Sequence, residues 1–341
     1  MILGTLPEGG RDGRLIVVDR ERTLGVRAAG VVSTLQALLD DWELFYPAVA
    51  RIADELAAGR RSDAFSLKDL TLAAPLPRAL QFLDGSAYPH HMSVIREARG
   101  AKMPADFHDK PLMYQGLSDR LIGPTDPILL TNDEEFGVDI EAEIVVITGD
   151  VPQGVNVDQA ASYIRLFGLL NDVSLRGIIP AEIARGFGFL QGKSASSMGP
   201  FAVTADELGP LWDGKLLSGR YMCYIRGELI GDLEPGRDAV FTYPQLISHA
   251  SRTRELTAGT IIGAGALANA DRKRGCGCIA ELRAREQLAH GAPRTPYLHF
   301  GDELHLEMFD YQGRSIFGAI RQRLERWSTP KSERERSKRG I

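Results

Sequence analysis

The chain has 341 residues, of which 44% are hydrophobic and 25% charged, and a formal net charge of -5. Those values describe a soluble globular protein with a sizeable core, built as one large domain or two smaller ones. They argue against a surface made for nucleic acid or anionic membrane. The sequence has no apolar run of about 18 residues and no basic, apolar leader. The three cysteines, Cys223, Cys276 and Cys278, are too few and too oddly spaced for a disulfide framework or a four-cysteine zinc site, so Cys276 and Cys278 read as small buried hydrophobes. A cytoplasmic protein with a small-molecule partner is expected.

Residues 1–75 read as a small N-terminal α/β module. "RLIVVD" and "LGVRAAGVV" are short β-like pieces between charged and Gly-rich turns. "STLQALLDDWELFYPAVARIADELAAG" follows with helical spacing; Gly59 closes it and Pro47 predicts a break between two helices. "AAPLPRALQF", residues 73–82, is the Pro-punctuated connection into a larger unit spanning 76–325. Strands dominate there: "PILLT", "EAEIVVIT", "PFAVTADEL", and two hairpin-like segments with turns at Arg226-Gly227 and Gln312-Gly313. Helices are predicted over "VDQAASYIRLFGLLND" and "TYPQLISHASRTREL". Without a regular βαβ alternation the pattern predicts a β-rich α+β domain. The charged stretch 326–341 has no apolar periodicity and is expected to be frayed. There is no internal repeat.

Chemistry first shows in "GVDIEAEIVVITGD", residues 137–150. In a strand, Glu141 and Glu143 share one face with Val145 and Ile147, while Ile140, Ala142, Ile144 and Val146 take the other. A run apolar on both faces is usually buried, and two adjacent buried carboxylates repel each other unless something positive lies between them. Asp172 after "LFGLLN" and Asp84 after "LQFL" are further acids in apolar settings. Four carboxylates without cysteine or His-x-x-His spacing suit a hard divalent cation rather than zinc. Each acid taken singly also fits a cap or a turn.

"FLDGSAYPHHM", "LMYQG", "IEAEI", "LLNDVSLR", "GFGFLQGKS", "ELTAGTIIGAG" and "GCGCIAELR" occur in an order that resembles the fumarylacetoacetate hydrolase family, from about residue 80 to residue 322. The N-terminal part resembles the smaller leading domain of the longer members. The resemblance implies a mixed β-roll catalytic domain holding one divalent cation, magnesium first and calcium or manganese as alternatives, through Asp84, Glu141, Glu143 and Asp172. It implies a base at His91, with His90 beside it as the alternative, partnered by Glu281 and reinforced by Lys193. Tyr114, Gly259 and Thr260 match positions that contact substrate, and Arg96 is preferred over Arg99 for a substrate carboxylate. The resemblance also implies a homodimer.

The activity so implied is metal-dependent hydrolysis of a carbon–carbon bond in a 1,3-diketo acid, with fumarylacetoacetate from tyrosine breakdown as the first choice. The alternatives are an acylpyruvate hydrolase, or a decarboxylase or isomerase of a 2-keto diacid. The chain departs from the long members at "LRGIIPAEIARGF", where they carry a Gln and a Tyr, which puts identity of substrate in doubt. A catalytically silent relative is disfavoured, because no position needed for the chemistry has decayed.

Overall fold

Apolar runs and hairpin signals become a large mixed sheet and a smaller one in the computed structural model, which describes residues 1–328. The first third supplies β1 (Ile2–Leu6), β2 (Arg14–Val18), β3 (Leu24–Arg27), α1 (Leu35–Asp40), α2 (Trp42–Ala57), β4 (Phe65–Ser66), β5 (Gln81–Gly85) and α3 (Pro89–Ala98). The middle supplies β6 (Met113–Gln115), β7 (Ile128–Leu130), β8 (Val138–Asp139), β9 (Ala142–Thr148), α4 (Val157–Ala160), β10 (Ile164–Asn171), β11 (Ser174–Leu175), α5 (Ile179–Arg185), β12 (Ser197–Met198), β13 (Ala202–Val203) and α6 (Ala205–Leu208). The remainder supplies β14 (Arg220–Ile225), β15 (Glu228–Leu233), α7 (Tyr243–Ala250), β16 (Thr260–Gly263), α8 (Ile279–His290), β17 (Glu303–Phe309) and β18 (Ser315–Arg326).

Among the described residues, eleven strands form one sheet in the order β4-β3-β2-β1-β13-β10-β9-β16-β5-β6, with β12 added on β10. A second sheet runs β15-β14-β17-β18-β7, and β11 pairs with β8. The fold is β-rich α+β. Because β1 pairs with β13, the N-terminal strands continue the sheet that carries β9. The alternation along β9 behaves as its sequence predicts. Val145 and Ile147 join a core with Leu35, Leu38 and Leu39 of α1, whereas Ala142, Ile144 and Val146 join a second core with Tyr221 and Leu306. No helix among the described residues is long and apolar enough to cross a membrane.

Several elements differ from expectation. "VDQAASYIRLFGLLND" is helical only to Tyr163, and its apolar part is strand β10. A run apolar on both faces fits a central strand as well as a buried helix, and here β9 and β13 flank it. Pro47 does not break the helix. It lies inside α2, and the interruption falls at Asp41, where φ is -129°. Pro47 is exposed, so the carbonyl of Glu43 that it leaves without a donor can turn to water. "PFAVTADEL" is strand only at β13 and then turns into α6. The turn at Arg226-Gly227 is a two-residue loop with φ of 53° and 78° at its centre, the signature of a type I′ hairpin. Gln312-Gly313 sits in a longer loop, closed by the Asp310 N–H donating to the Arg314 carbonyl at 2.9 Å. Of the charged 326–341 stretch, residues 329–341 lie outside the described residues.

Candidate active site

Sheet order gathers acids that are far apart in the sequence. In the central strand β16, Gly263 is level with Asp84 on β5 and with Val145 on β9. On the other side of β9, Leu170 of β10 faces Glu143. Glu141 therefore stands just before β9 and Asp172 just after β10, with the Asp172 N–H donating to the Glu141 carbonyl at 3.0 Å. The Asn171 side chain accepts from the Glu141 N–H at 3.2 Å. Asp84, Glu141, Glu143 and Asp172 are all buried, and each offers an oxygen within 4.8 Å of the others.

The positive partner of these acids is Lys193. It is buried, and its Nζ donates to Glu141 Oε2 at 2.9 Å, Asp172 Oδ2 at 2.5 Å and Ser174 Oγ at 2.7 Å. Arg176 adds a second cation, with Nη2 at 2.6 Å from Glu141 Oε1 and Nε at 2.8 Å from Asp139 Oδ2. Ser196 Oγ donates to Asp172 Oδ1 at 2.7 Å, the Gly265 N–H to Asp84 Oδ1 at 3.0 Å, and the Tyr114 hydroxyl to Asp172 Oδ2.

Burial and neighbouring charges act unequally on Glu141, Asp84 and Glu143. Burial is the largest influence on Glu141 and opposes its ionisation, yet the neighbouring Lys193, Arg176 and His91 hold its carboxyl down at about 2. Burial raises the Asp84 carboxyl to about 7, with repulsion from Asp172 and Glu141 adding to it. Burial and the three surrounding acids push Glu143 well above its ordinary value. Burial also opposes the charge on Lys193, but Asp172 and Glu141 outweigh it and raise the ammonium's value.

A hard divalent ion fits this setting. Both oxygens of buried Glu143 lack a hydrogen-bond partner among the described residues, which is costly unless something else satisfies them. A Cβ on Gly263 would lie 2.4 Å from Asp84 Oδ1 and 2.7 Å from Glu143 Oε2, so the missing side chain leaves the carboxylates room to approach. With all four carboxyls ionised, as a bound cation requires, Lys193 and Arg176 would offset at most two of the charges. The oxygen-only donor set suits magnesium, calcium or manganese.

Across a cleft of about 480 Å³ from the acids lies His91, in the first turn of α3. Its Nδ1 is 3.1 Å from Glu281 Oε2 in the first turn of α8. Glu281 is fully buried, and Arg285 Nη2 donates to its Oε1 at 2.5 Å. Burial opposes its ionisation, but His91 and Arg285 hold its carboxyl below the ordinary value. Cys278 caps α8, its Sγ accepting from the Glu281 N–H at 3.4 Å and lying 3.8 Å from His91 Nδ1. His90 does not line the cleft.

Arg96 and Arg99 both line the cleft, and neither has an acidic partner among the described residues. Arg96 Nη1 donates to the Lys102 carbonyl at 3.0 Å, and its buried Nε has no partner among the described residues. Tyr114 also lines the cleft, with Lys193 Nζ 5.2 Å from its ring centroid.

Gly259 and Thr260 are not among the residues that line the cleft. Thr260 pairs with Gln81 at the start of β16, three residues from the Gly263–Asp84 level, or roughly 10 Å along the strand. Its hydroxyl donates to the Thr257 carbonyl at 2.7 Å, and Gly259 packs on Gln36. The glycines that reach the acids are Gly263 and Gly265. Sequence reasoning also missed Asp139, Arg176, Ser196 and Arg285; only Arg176, four residues after Asp172, carried any signal.

The fumarylacetoacetate (FAA) hydrolase C-terminal profile matches residues 81–325, and the fumarylacetoacetase N-terminal domain 2 profile matches residues 1–78. A buried acid cluster on a mixed sheet, facing a histidine across a cleft, fits an enzyme of hydrolase or isomerase type. The chain belongs to the fumarylacetoacetate hydrolase family.

Its curated relatives include the 2,4-didehydro-3-deoxy-L-rhamnonate hydrolase of Sphingomonas sp. (strain SKA58), 33% identical over 29% of this chain and 35% of the relative. They also include the mitochondrial oxaloacetate tautomerase Fahd2a of Rattus norvegicus, 25% identical over 62% of this chain and 64% of the relative. The matches thus span from about a third to just under two thirds of these relatives' lengths. Among solved structures, the maleylpyruvate hydrolase of Sphingobium sp. SYK-6, in complex with manganese(II) and pyruvate, superposes with a TM-score of 0.64 at 19% identity. That superposition covers 96% of this chain and 100% of the other, a likeness of fold.

Proposed function

We propose that this chain is a divalent-metal-dependent hydrolase that cleaves a carbon–carbon bond in a 1,3-diketo acid. Fumarylacetoacetate, giving fumarate and acetoacetate in tyrosine breakdown, is the first substrate to test. The observation that carries this reading is that one cleft is lined both by Asp84 and Glu141 of the buried acid cluster and by His91, whose Nδ1 meets Glu281.

Bound at Asp84, Glu141, Glu143 and Asp172, a divalent ion would supply Lewis acidity and fixed positive charge for the two oxygens of the diketo group. The side chains supply the proton transfers. With Nδ1–H donating to Glu281, His91 keeps Nε2 as its basic nitrogen and takes a proton from water as the water oxygen bonds to the attacked carbonyl carbon. Glu281, ionised and braced by Arg285, stabilises the imidazolium. When the carbon–carbon bond breaks, its electron pair departs on the leaving carbon as an enolate, and His91 returns the proton to that carbon. Lys193 adds positive charge beside the same oxygens. Tyr114 offers a hydroxyl at the cleft wall, and Arg96 or Arg99 suits a substrate carboxylate.

A second reading, an acylpyruvate hydrolase, draws on the cleft's Ile179, Ile183 and Phe189. These lie in and beside the segment where the long members carry a Gln and a Tyr, and they suit an apolar acyl group. Simple metal-assisted decarboxylation of a 2-keto diacid needs the base less than water activation does. Purified protein should be assayed with and without Mg²⁺ or Mn²⁺ on fumarylacetoacetate, acetylpyruvate, fumarylpyruvate and oxaloacetate. Turnover of a diketo acid is expected, and activity on oxaloacetate alone would sink the hydrolase reading. His91→Ala should lower turnover by about 100-fold or more with metal affinity unchanged.

A further inference from the structure

Asp139 is fully buried, two residues before Glu141, and its carboxylate accepts four hydrogen bonds. Oδ1 takes the N–H of Ile140 at 2.8 Å and of Ile279 at 2.7 Å; Oδ2 takes the N–H of Ala280 at 3.0 Å and Nε of Arg176 at 2.8 Å. Ile279 and Ala280 are the first two residues of α8, and Glu281 is the third. The other end of the Arg176 guanidinium holds Glu141 Oε1 at 2.6 Å. One carboxylate therefore fixes both the helix end that presents Glu281 and the arginine that orients Glu141.

We propose that Asp139 is a positioning residue that locks the acid cluster and the His91–Glu281 pair into one frame, so that base and cation site keep a fixed relation. The proposal rests on the reading of those two groups given above. Three facts separate this role from ordinary helix capping. The third N–H of the turn, that of Glu281, already has Cys278 Sγ as its acceptor. The Asp139 carboxylate also reaches outside the helix to Arg176, in a charge-assisted bond that is stronger than a cap alone needs. Finally, without Asp139 the guanidinium would rest on Glu141 alone and compete there with a cation.

Asp139→Asn keeps the shape but turns one acceptor into a donor that faces Ala280 N–H and Arg176 Nε or, in the other amide orientation, the N–H groups of Ile140 and Ile279. At saturating Mn²⁺ its kcat should fall about tenfold or more with KM within about threefold, and its Mn²⁺ Kd should weaken several-fold. In a double-mutant cycle, Glu281→Gln should cost about tenfold in the wild-type background but under about threefold beside Asp139→Asn, while the two effects on Tm add. A merely structural role predicts additivity in kcat as well. Wild-type kcat in Asp139→Asn, or additive losses, would overturn the proposal.

Arg176→Lys serves if Asp139→Asn does not fold, because it leaves the α8 cap intact. It should weaken Mn²⁺ affinity several-fold and lower kcat at saturating metal by less than Glu281→Gln does. A kcat loss equal to that of Glu281→Gln would overturn the division of roles. Full turnover in Glu281→Gln would instead refute the His91–Glu281 base, a separate failure, since Mn²⁺ affinity in Asp139→Asn still reads the Asp139 link directly.

Discussion

Gly263→Ala tests whether the acid cluster works as a cation site in the arrangement described. Ordinary contact for a Cβ begins at 3.4 Å, whereas the added methyl would lie 2.4 Å from Asp84 Oδ1 and 2.7 Å from Glu143 Oε2. The Asp84 carboxylate must therefore retreat by about 1 Å, several times the ~0.2 Å tolerance of a coordination bond. Gly263 is not among the glycines with positive φ, so the backbone itself accepts alanine and the effect is confined to the side chains. The crowding should cost about 1–3 kcal/mol, seen as a Tm lower by several degrees. The larger effect should be on Mn²⁺ affinity, weakened by about 10–100-fold, as measured by calorimetry or electron paramagnetic resonance on dialysed protein. Gly168→Ala in β10 is the control: its Cβ would meet only the flexible Met198 Cε at 2.9 Å and Val145 at 3.6 Å, and its affinity should stay that of wild type. If Gly263→Ala binds Mn²⁺ within about threefold of wild type, these four carboxylates are not the ligands.

Two further outcomes follow from the electrostatics. Lys193→Met strands the Glu141 and Asp172 charges in a buried place, which costs about 3–5 kcal/mol. The metal-free Tm should drop by on the order of 10 °C, and added Mn²⁺ should restore more of it than it adds to wild type. An equal Mn²⁺ gain in both proteins would refute the view that ammonium and cation neutralise the same carboxylates. Cation affinity should also depend on pH. The Asp84 carboxyl, at about 7, and that of Glu143, also raised, lie above their unfolded values. Their stabilising contribution is thus complete below the ordinary carboxylate range and is lost as pH rises through about 7. Binding must expel these protons, so Mn²⁺ affinity should climb from about pH 5.5 to 8, near tenfold per unit for one proton. A Kd that is flat over this window would contradict the assignment.

What could be read from the sequence was whatever a local pattern punishes. Glu141 and Glu143 stand out because ionised groups in a doubly apolar strand are expensive, and period-two alternation correctly sends Glu143 with Val145 and Ile147. Asp84 and Asp172 carry weak signals singly and became legible through ordered motifs. The strand identity of β10 was hidden because an apolar run without polar interruptions has no period to read. Asp139 and Arg285 were opaque for another reason: Asp139 meets the N–H groups of Ile279 and Ala280, far along the chain, and Arg285 acts through Glu281 on its own helix, so in the sequence each looks like any solvated charge.

Register decides which glycine meets the acids. "AGTIIGAG" offers Gly259, Gly263 and Gly265, and composition cannot say which meets the acids. Sliding β16 by two residues would preserve its alternation and every apolar contact type, yet it would put Ile261 level with Asp84. An isoleucine side chain there would occupy the space into which Asp84 and Glu143 now project, and the cluster could not close. The glycine at 263 is thus tied to one register of β16 between β5 and β9, and that register brings the carboxylates within reach of one ion.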